Sequence, residues 1–415
     1  MKNQLPFPVD PRKIRGDFPI LSRRISGHPL VYLDNAATTH KPTAVLDRIR
    51  DFYLRQNSNI HRGIHALGDE ATGCYEAARK RVQQFINAAS DREVIFTAGA
   101  TDAINRVAEM TGSAWVQRGD RVLVTRMEHH SNLLPWQDLC RRRQAELRVI
   151  PLDDRGELDL EEMDRLLDSR TRLLAVTQVS NVTGTVNPVR EIVRRAHRRR
   201  IPVLVDGAQA VGHLPVDVQE LDCDFYVFSG HKMYAPMGIG VLYGKEQWLW
   251  DLPPGRTGGG IVERVTLREA TFAGLPQKLE PGTPNVGGAT ALAAAVDYLQ
   301  NLGMPAVAEH DHRLLTEARA RLKAFGGVKI YGRPVRCCAA LSFNLDGVHH
   351  QDAGIILDRL GIAVRSGFHC AQPLMDHYRV EGTLRISFGV YNRLADLDRL
   401  EEGLYKVRRM LGENR

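Results

Sequence analysis

From about residue 90 to 245 the chain alternates short apolar runs with amphipathic stretches, and no other feature restricts its fold so tightly. The apolar runs are Val94-Ile95-Phe96, Val122-Leu123-Val124, Leu173-Leu174-Ala175-Val176, Val203-Leu204-Val205, Phe225-Tyr226-Val227-Phe228 and Gly240-Val241-Leu242-Tyr243. Helix-period stretches at 101–115, 132–145, 159–168 and 188–200 separate several of them. Strands that are apolar throughout and alternate with helices predict an α/β fold, a mostly parallel sheet covered on both faces. Chemistry in such a fold gathers in the crevice beyond the carboxyl ends of the strands, so polar motifs should follow the runs directly.

The rhythm breaks at 251–290, where Pro253-Pro254-Gly255, Gly258-Gly259-Gly260 and Glu280-Pro281-Gly282 mark loops. Helical stretches at 289–302 and 305–325, strands at 338–345 and 362–365 and a helix at 394–411 complete the chain. The predicted organisation is an N-terminal segment to residue 25 that packs on the smaller domain, a large domain over 26–288, and a small α+β domain over 289–415.

The motifs fall where the sheet rule puts them. Run 203–205 leads into Asp206-Gly207-Ala208-Gln209, and Phe228 leads into Ser229-Gly230-His231-Lys232. A lone Asp at a strand end can simply cap the next helix, and a lone Lys is usually solvated. Together they suit pyridoxal phosphate, which needs a lysine for its aldehyde and an acid to keep its ring nitrogen protonated. Burial lowers the pKa of a lysine and makes it a nucleophile. Gly99-Ala100-Thr101 opens a helix just after a strand, a site for the cofactor's phosphate.

Six cysteines (74, 140, 223, 337, 338 and 370) are too few and scattered for a disulfide framework, and no CxxC pair suggests zinc. Cys370 stands apart, in a setting of Gly367, His369, Ala371 and Pro373 that favours catalysis. Arg365 and His369 are its candidate cationic partners, since a thiolate is the reactive form. Cys337-Cys338 are expected to begin a strand, and the other three to be structural. His61 with His65, His129-His130 and His349-His350 lack a converging third ligand, so no metal site is predicted. His130 is expected to bond locally, and His349-His350 to cap a helix beginning near Asp352.

The formal charge of +7 comes largely from runs such as Arg141-Arg142-Arg143 and the Arg-rich 194–200 segment. The latter ends a helical stretch, where cations complement the helix dipole, and neither run has interleaved aromatics. They read as solvated surface, and no nucleic-acid partner is predicted. The first residues lack the apolar core of a secretory signal, and no apolar run approaches the ~20 residues that span a bilayer. A cytoplasmic protein without membrane contact is expected.

Taken in order, Leu33-Asp34-Asn35-Ala36-Ala37-Thr38-Thr39, Glu128-His129-His130-Ser131-Asn132, Ser180-Asn181-Val182-Thr183-Gly184, Val205-Asp206-Gly207-Ala208-Gln209, Ser229-Gly230-His231-Lys232 and Arg365-Ser366-Gly367-Phe368-His369-Cys370 carry a family resemblance. The chain resembles the cysteine desulfurases of the class V aminotransferase family, in their group II (SufS/CsdA-type) branch, from about residue 12 to 412. The short segment from Arg365 to Cys370 supports that branch, whose cysteine loop swings little. The resemblance implies PLP-dependent fold type I, a homodimer, and conversion of L-cysteine to L-alanine with a persulfide on Cys370.

It also implies roles for individual residues. Lys232 would hold the cofactor, Asp206 its ring nitrogen and Gln209 its ring hydroxyl, with His129 stacked on the ring and counted as catalytic beside Lys232 and Cys370. Thr101, Ser229 and His231 would bind the phosphate, joined by Thr283 from the neighbouring subunit. Asn181 and Arg385 would hold the substrate carboxylate, and His61, Arg62 and Arg365 would lie near the substrate entrance. The persulfide would pass to an acceptor protein of the SufE/SufU type, for iron–sulfur cluster assembly.

The chain departs from the family pattern in places. It has Ala98-Gly99-Ala100-Thr101 where Arg-Gly-Thr-Thr is common, Ala235-Pro236-Met237-Gly238 where Gly-Pro-Thr-Gly is common, and Phe368 where a polar residue is usual. A selenocysteine lyase acting on L-selenocysteine is the alternative on the same scaffold. A partner-binding subunit without catalysis is disfavoured by the intact set of Lys232, Asp206, His129, Cys370 and Arg385.

Overall fold

The computed structural model describes residues 9–412, so residues 1–8 of the predicted N-terminal segment lie outside the described residues. Seven strands form the large sheet: β1 (Val94–Thr97), β2 (Arg121–Thr125), β3 (Glu146–Ile150), β4 (Thr171–Thr177), β5 (Val203–Asp206), β6 (Phe225–Ser229) and β7 (Gly240–Gly244). Their order is β1-β7-β6-β5-β4-β2-β3. Neighbours from β6 to β3 are parallel, and β7 alone runs against both β6 and β1.

The apolar runs form this sheet because each strand supplies both faces. Phe96, Leu174, Val176, Val203, Val205 and Tyr226 point into one core. Ile95, Leu173, Ala175, Leu204, Phe225 and Val227 point into another on the opposite side. With period-two side chains, a strand covered on both faces must be apolar at every position. Helices Ala66–Phe85, Val189–His197 and Val286–Leu302 close the first core, and Ala100–Ala114 and Leu134–Arg143 close the second.

Strand β3 is the exception that the sequence reading missed. It lies at the sheet edge, where Arg148 is partly exposed and ion-paired with Glu146, so it carries no continuous apolar run. Residues 251–290 also hold more structure than expected, a hairpin of Val262–Val265 and Ala270–Phe272 with exposed side chains.

A second sheet has strands β8 (Val328–Tyr331), β9 (Ala340–Leu345), β10 (Arg365–Gly367) and β11 (Thr383–Ser387), in the order β8-β9-β11-β10. Its own core joins Leu341, Phe343, Leu384 and Ile386 to helices Met304–Phe325 and Leu394–Leu411. Residues 31–33 cross to it: Val31 and Tyr32 pair with Ile362 and Ala363, and Ser387 N–H donates to the Leu33 carbonyl at 2.8 Å. Phe18 packs edge-on against Tyr234, Tyr298 and Tyr391.

Candidate active site

The strand ends converge on a cavity of about 200 Å³. It brings Thr101, His129, Asn181, Asp206, Gln209, Ser229, His231 and Lys232 from the large sheet's carboxyl ends to Arg365, Cys370 and Arg385 from the second sheet. Close backbone approach shapes one end. A Cβ on Gly240 would sit 2.5 Å from the Gly99 Cα, so glycine there lets the 98–101 turn fold down onto β7. Gly99 has φ +155, and the Ala100 N–H behind it donates to Ser229 Oγ at 2.8 Å. The helix Ala100–Ala114 thus opens beside Ser229, Thr101 and His231, whose Nδ1 is buried without a protein partner. Thr101 Oγ1 and Ser131 Oγ lie 2.7 Å apart.

Asp206 ends β5 and accepts the Ala208 N–H at 3.0 Å. Burial pushes its carboxyl up, against the Ala208 bond and the Lys232 charge, both of which favour the carboxylate. Burial pushes the Lys232 amine down, against the pull of Asp206. His129 is driven to about 3 by burial, with the Lys232 charge adding to it, so its ring is neutral. Its Nδ1 accepts the Ser131 N–H at 3.1 Å, which puts the ring proton on Nε2. Gln209 donates from Nε2 to the Ala36 carbonyl at 2.7 Å, fixing the orientation of its amide.

Arg385 is 2% exposed yet not fully saturated. Nη2 donates to Asp34 Oδ1 at 2.9 Å and Nη1 to the Asn181 carbonyl at 3.0 Å, while Nε is buried without a protein partner. Asp34 also reaches Arg365 Nη1 at 3.5 Å. Asp34, to which its sequence motif assigns no role, orients both arginines through its carboxylate. Glu128, likewise without a role in its motif, ties the ends of β2 and β4 through Thr125 and the Thr177 N–H.

Cys370 is half-buried, and both it (φ +55) and His369 (φ +52) take the left-handed conformation that non-glycine residues rarely adopt. The turn is held by residues that follow strands of the large sheet. Asn181 Nδ2 donates to the His369 carbonyl at 2.7 Å, and the His130 N–H donates to the Cys370 carbonyl at 2.8 Å.

Several expectations need correction here. His369 is no cationic partner for Cys370: burial pushes its ring to about 2, and its Nε2 faces Thr383, 2.8 Å from Oγ1 and 3.1 Å from the carbonyl. His130 bonds locally only through its carbonyl, which accepts the Leu133 N–H at 3.2 Å; its ring Nε2 instead accepts the distant Gln372 N–H at 3.4 Å. Cys337 and Cys338 precede their strand, which starts at Ala340, and Cys338 N–H donates to the Gly184 carbonyl. His349 caps a helix that begins at His350, two residues earlier than expected.

His61, Arg62 and Thr283 are not in this cavity. They line another of about 240 Å³ with Glu280, so a single chain does not bring them to Lys232. Among the described residues, His213, Asp311 and Cys338 form a buried group of potential metal donors that the sequence reading did not single out. His213 Nδ1 and Asp311 Oδ2 are 2.6 Å apart. That is a hydrogen bond, closer than two ligands of one tetrahedral ion sit. No helix among the described residues is long and apolar enough to cross a membrane.

The model of the class V aminotransferases matches residues 31–400. A cysteine desulfurase of Dickeya dadantii is 49% identical over 408 residues, 98% of each chain. The crystal structure of the Escherichia coli cysteine desulfurase CsdA, in an S-sulfonic acid form, superimposes with a TM-score of 0.90 at 39% identity, covering 97% of this chain and 99% of that one. The apo cysteine desulfurase of Thermococcus onnurineus gives 0.91 at 36% identity over 97% and 98%. Sequence, fold and the order of the strand-end motifs agree, and the chain belongs to the class V aminotransferase family, alongside its cysteine desulfurases.

Proposed function

We propose that this protein is a pyridoxal-phosphate-dependent cysteine desulfurase that converts L-cysteine to L-alanine and carries the sulfur as a persulfide on Cys370. One observation carries the reading: a single cavity gathers Lys232 and Asp206 from one sheet and Cys370 and Arg385 from the other.

The donors present suit the cofactor. The unpartnered His231 Nδ1, the Ser229 and Thr101 hydroxyls and the opening of helix Ala100–Ala114 make a phosphate site. Asp206 would hold a proton on the ring nitrogen, Gln209 would face the ring hydroxyl, and the neutral His129 ring would lie against the cofactor face. Ala100 supplies a backbone N–H where the family commonly has a hydroxyl, and Ser229 already uses its oxygen to accept it. When bound, the cofactor supplies an aldehyde for an amine and a ring that withdraws charge from the substrate Cα.

The chain's own groups do the rest. Arg385, oriented by Asp34, would take the substrate carboxylate with Asn181. Burial keeps the Lys232 amine available as a base for the Cα proton. The Cys370 thiolate, with Arg365 as the nearby cation, attacks the substrate sulfur. An S–S bond forms as the C–S bond breaks with its electron pair left on the substrate carbon; one proton delivered to Cβ and the return of a proton from Lys232 to Cα complete alanine.

The same proposal includes a homodimer, in which the cavity of His61, Arg62 and Thr283 faces the partner's cofactor. It includes transfer of the persulfide to a SufE/SufU-type acceptor for iron–sulfur cluster assembly in the cytoplasm. The domain division at residues 25 and 288 and the roles given to each site residue belong to it as well. The test is to purify the protein, record the visible absorbance of a lysine-bound cofactor, and measure alanine and sulfide from L-cysteine and from L-selenocysteine, beside Cys370→Ala. A colourless protein would refute the cofactor reading. Full L-cysteine activity in Cys370→Ala would refute the persulfide route, and turnover of L-selenocysteine alone would assign a lyase.

A further inference from the structure

One carbonyl beside the proposed cofactor lysine receives more donors than it can use. The His231 carbonyl, in the peptide that leads into Lys232, faces the Thr39 N–H at 3.0 Å, Thr38 Oγ1 at 3.0 Å, Thr39 Oγ1 at 3.1 Å and Lys41 Nζ at 3.1 Å. A carbonyl oxygen has two lone pairs, so four donors over-determine its position. The grip is doubled, because Thr39 Oγ1 also accepts the Tyr234 N–H at 2.8 Å from the far side of the turn.

Lys41 is the unusual member. Its ammonium is half-buried and bonds only to neutral oxygens: the Thr39 and His231 carbonyls and, at 3.4 Å, Thr38 Oγ1. Burial acts on it unopposed and pushes it down to about 8. A cation held in this way is costly, and a neutral hydrogen-bonding residue could have closed a loop.

The segment that carries Lys41 also touches the rest of the site. Asp34 binds Arg385, and the Ala36 carbonyl accepts from Gln209. Residues 34–41 therefore form a strut between the arginine proposed to hold the substrate and the turn that presents the lysine.

We propose that Lys41 is a positioning residue for Lys232. With Thr38 and Thr39 it clamps the His231 carbonyl, and so fixes the direction in which the Lys232 side chain leaves the backbone. The proposal rests on Lys232 being the cofactor lysine, and deepens that reading by naming what aims it. A clamp of this kind acts on the reaction at Lys232 and leaves substrate capture at Arg385 intact.

The test uses full-length holoenzyme carrying Lys41→Met, Thr38→Val or Lys232→Ala. Cofactor content, the pH titration of the lysine-bound cofactor's absorbance band, kcat and KM are measured for each. Lys41→Met is expected to keep its cofactor, to shift the band's titration, and to lose about tenfold in kcat, the worth of one charge-assisted bond, with KM within about twofold. Thr38→Val is expected to move the same readouts in the same direction by less. A wild-type titration and kcat in Lys41→Met would overturn the proposal, and if that variant does not fold, Thr38→Val decides by the same criteria. Lys232→Ala separates the two layers. If it retains the lysine-bound band, the assignment of Lys232 fails. If it loses the band while Lys41→Met behaves as wild type, the clamp alone fails.

Discussion

Glu128 offers the most quantitative test of how this site is built. Its carboxyl is 1% exposed. Oε1 accepts from Thr125 Oγ1 at 2.6 Å and from the Thr177 N–H at 2.9 Å, and Oε2 accepts from Asn132 Nδ2 at 2.6 Å. Those donors favour the carboxylate, but burial, seconded by the charge of Asp206, outweighs them and pushes the pKa up to about 8 from 4.5. The folded protein therefore keeps a proton that the unfolded chain gives up above about pH 4.5. This contribution to stability is complete below that pH and is lost as pH rises toward about 8.

At about 1.4 kcal/mol per pH unit, wild type should lose about 3 kcal/mol through this residue between about pH 5.5 and pH 8. Glu128→Gln removes the titration. It also adds a fixed cost of about 1–3 kcal/mol, because one amide N–H must face a donor. Asn132 cannot turn to relieve this, since its Oδ1 accepts from Trp136 Nε1 at 3.0 Å. Equilibrium urea unfolding of both proteins across this range gives the difference directly. At about pH 5.5 wild type has already lost about 1.4 kcal/mol of this contribution, so it should lead by at most about 1.5 kcal/mol there, and Glu128→Gln should be the more stable by about 1–3 kcal/mol near pH 8. A difference that stays constant with pH would refute the reasoning and mean that Glu128 is ionised in the folded protein throughout.

Other substitutions probe separate parts of the structure. Asp206→Asn should keep the cofactor bound but lower kcat at least about hundredfold, because an amide cannot hold the ring nitrogen's proton; turnover within about threefold of wild type would contradict the role. Gly240→Ala should cost about 1–3 kcal/mol in unfolding measurements and speed cofactor loss, because its Cβ displaces the Gly99 turn. Unchanged cofactor retention would show that the turn does not hold the phosphate. Arg79→Met should cost about 3–5 kcal/mol, since it strands the buried Glu280 carboxylate that Arg79 meets at 2.7 and 2.9 Å. A loss below about 1 kcal/mol would mean that Glu280 finds another partner.

How legible the molecule was in its sequence varied with how local the deciding physics was. Strands β1, β2 and β4 to β7 could be read because burial on both faces requires unbroken apolar runs, and Asp206 and Lys232 followed because they sit within four residues of a strand end. Strand β3 escaped because an edge tolerates Arg148 and Glu146. His369 was misjudged as a cation for a related reason. Proximity to Cys370 in sequence says nothing about its burial against Thr383, and burial decides the charge. His130 looked local until the Cys370 turn was brought against it from 240 residues away in the chain.

By itself, then, the sequence determined the α/β class, the ordered strand-end motifs and the identity of the residues able to do chemistry. Those properties follow from side-chain type and short-range periodicity. Only the tertiary structure decided which of those residues meet. It put Cys370 and Arg385 in one cavity with Lys232, set His61 and Thr283 apart in another, and clamped the lysine's peptide with Lys41. The physical reason is that charge state and orientation are set by neighbours in space, through desolvation and hydrogen bonding, and neighbours in space are chosen by how the separate cores pack.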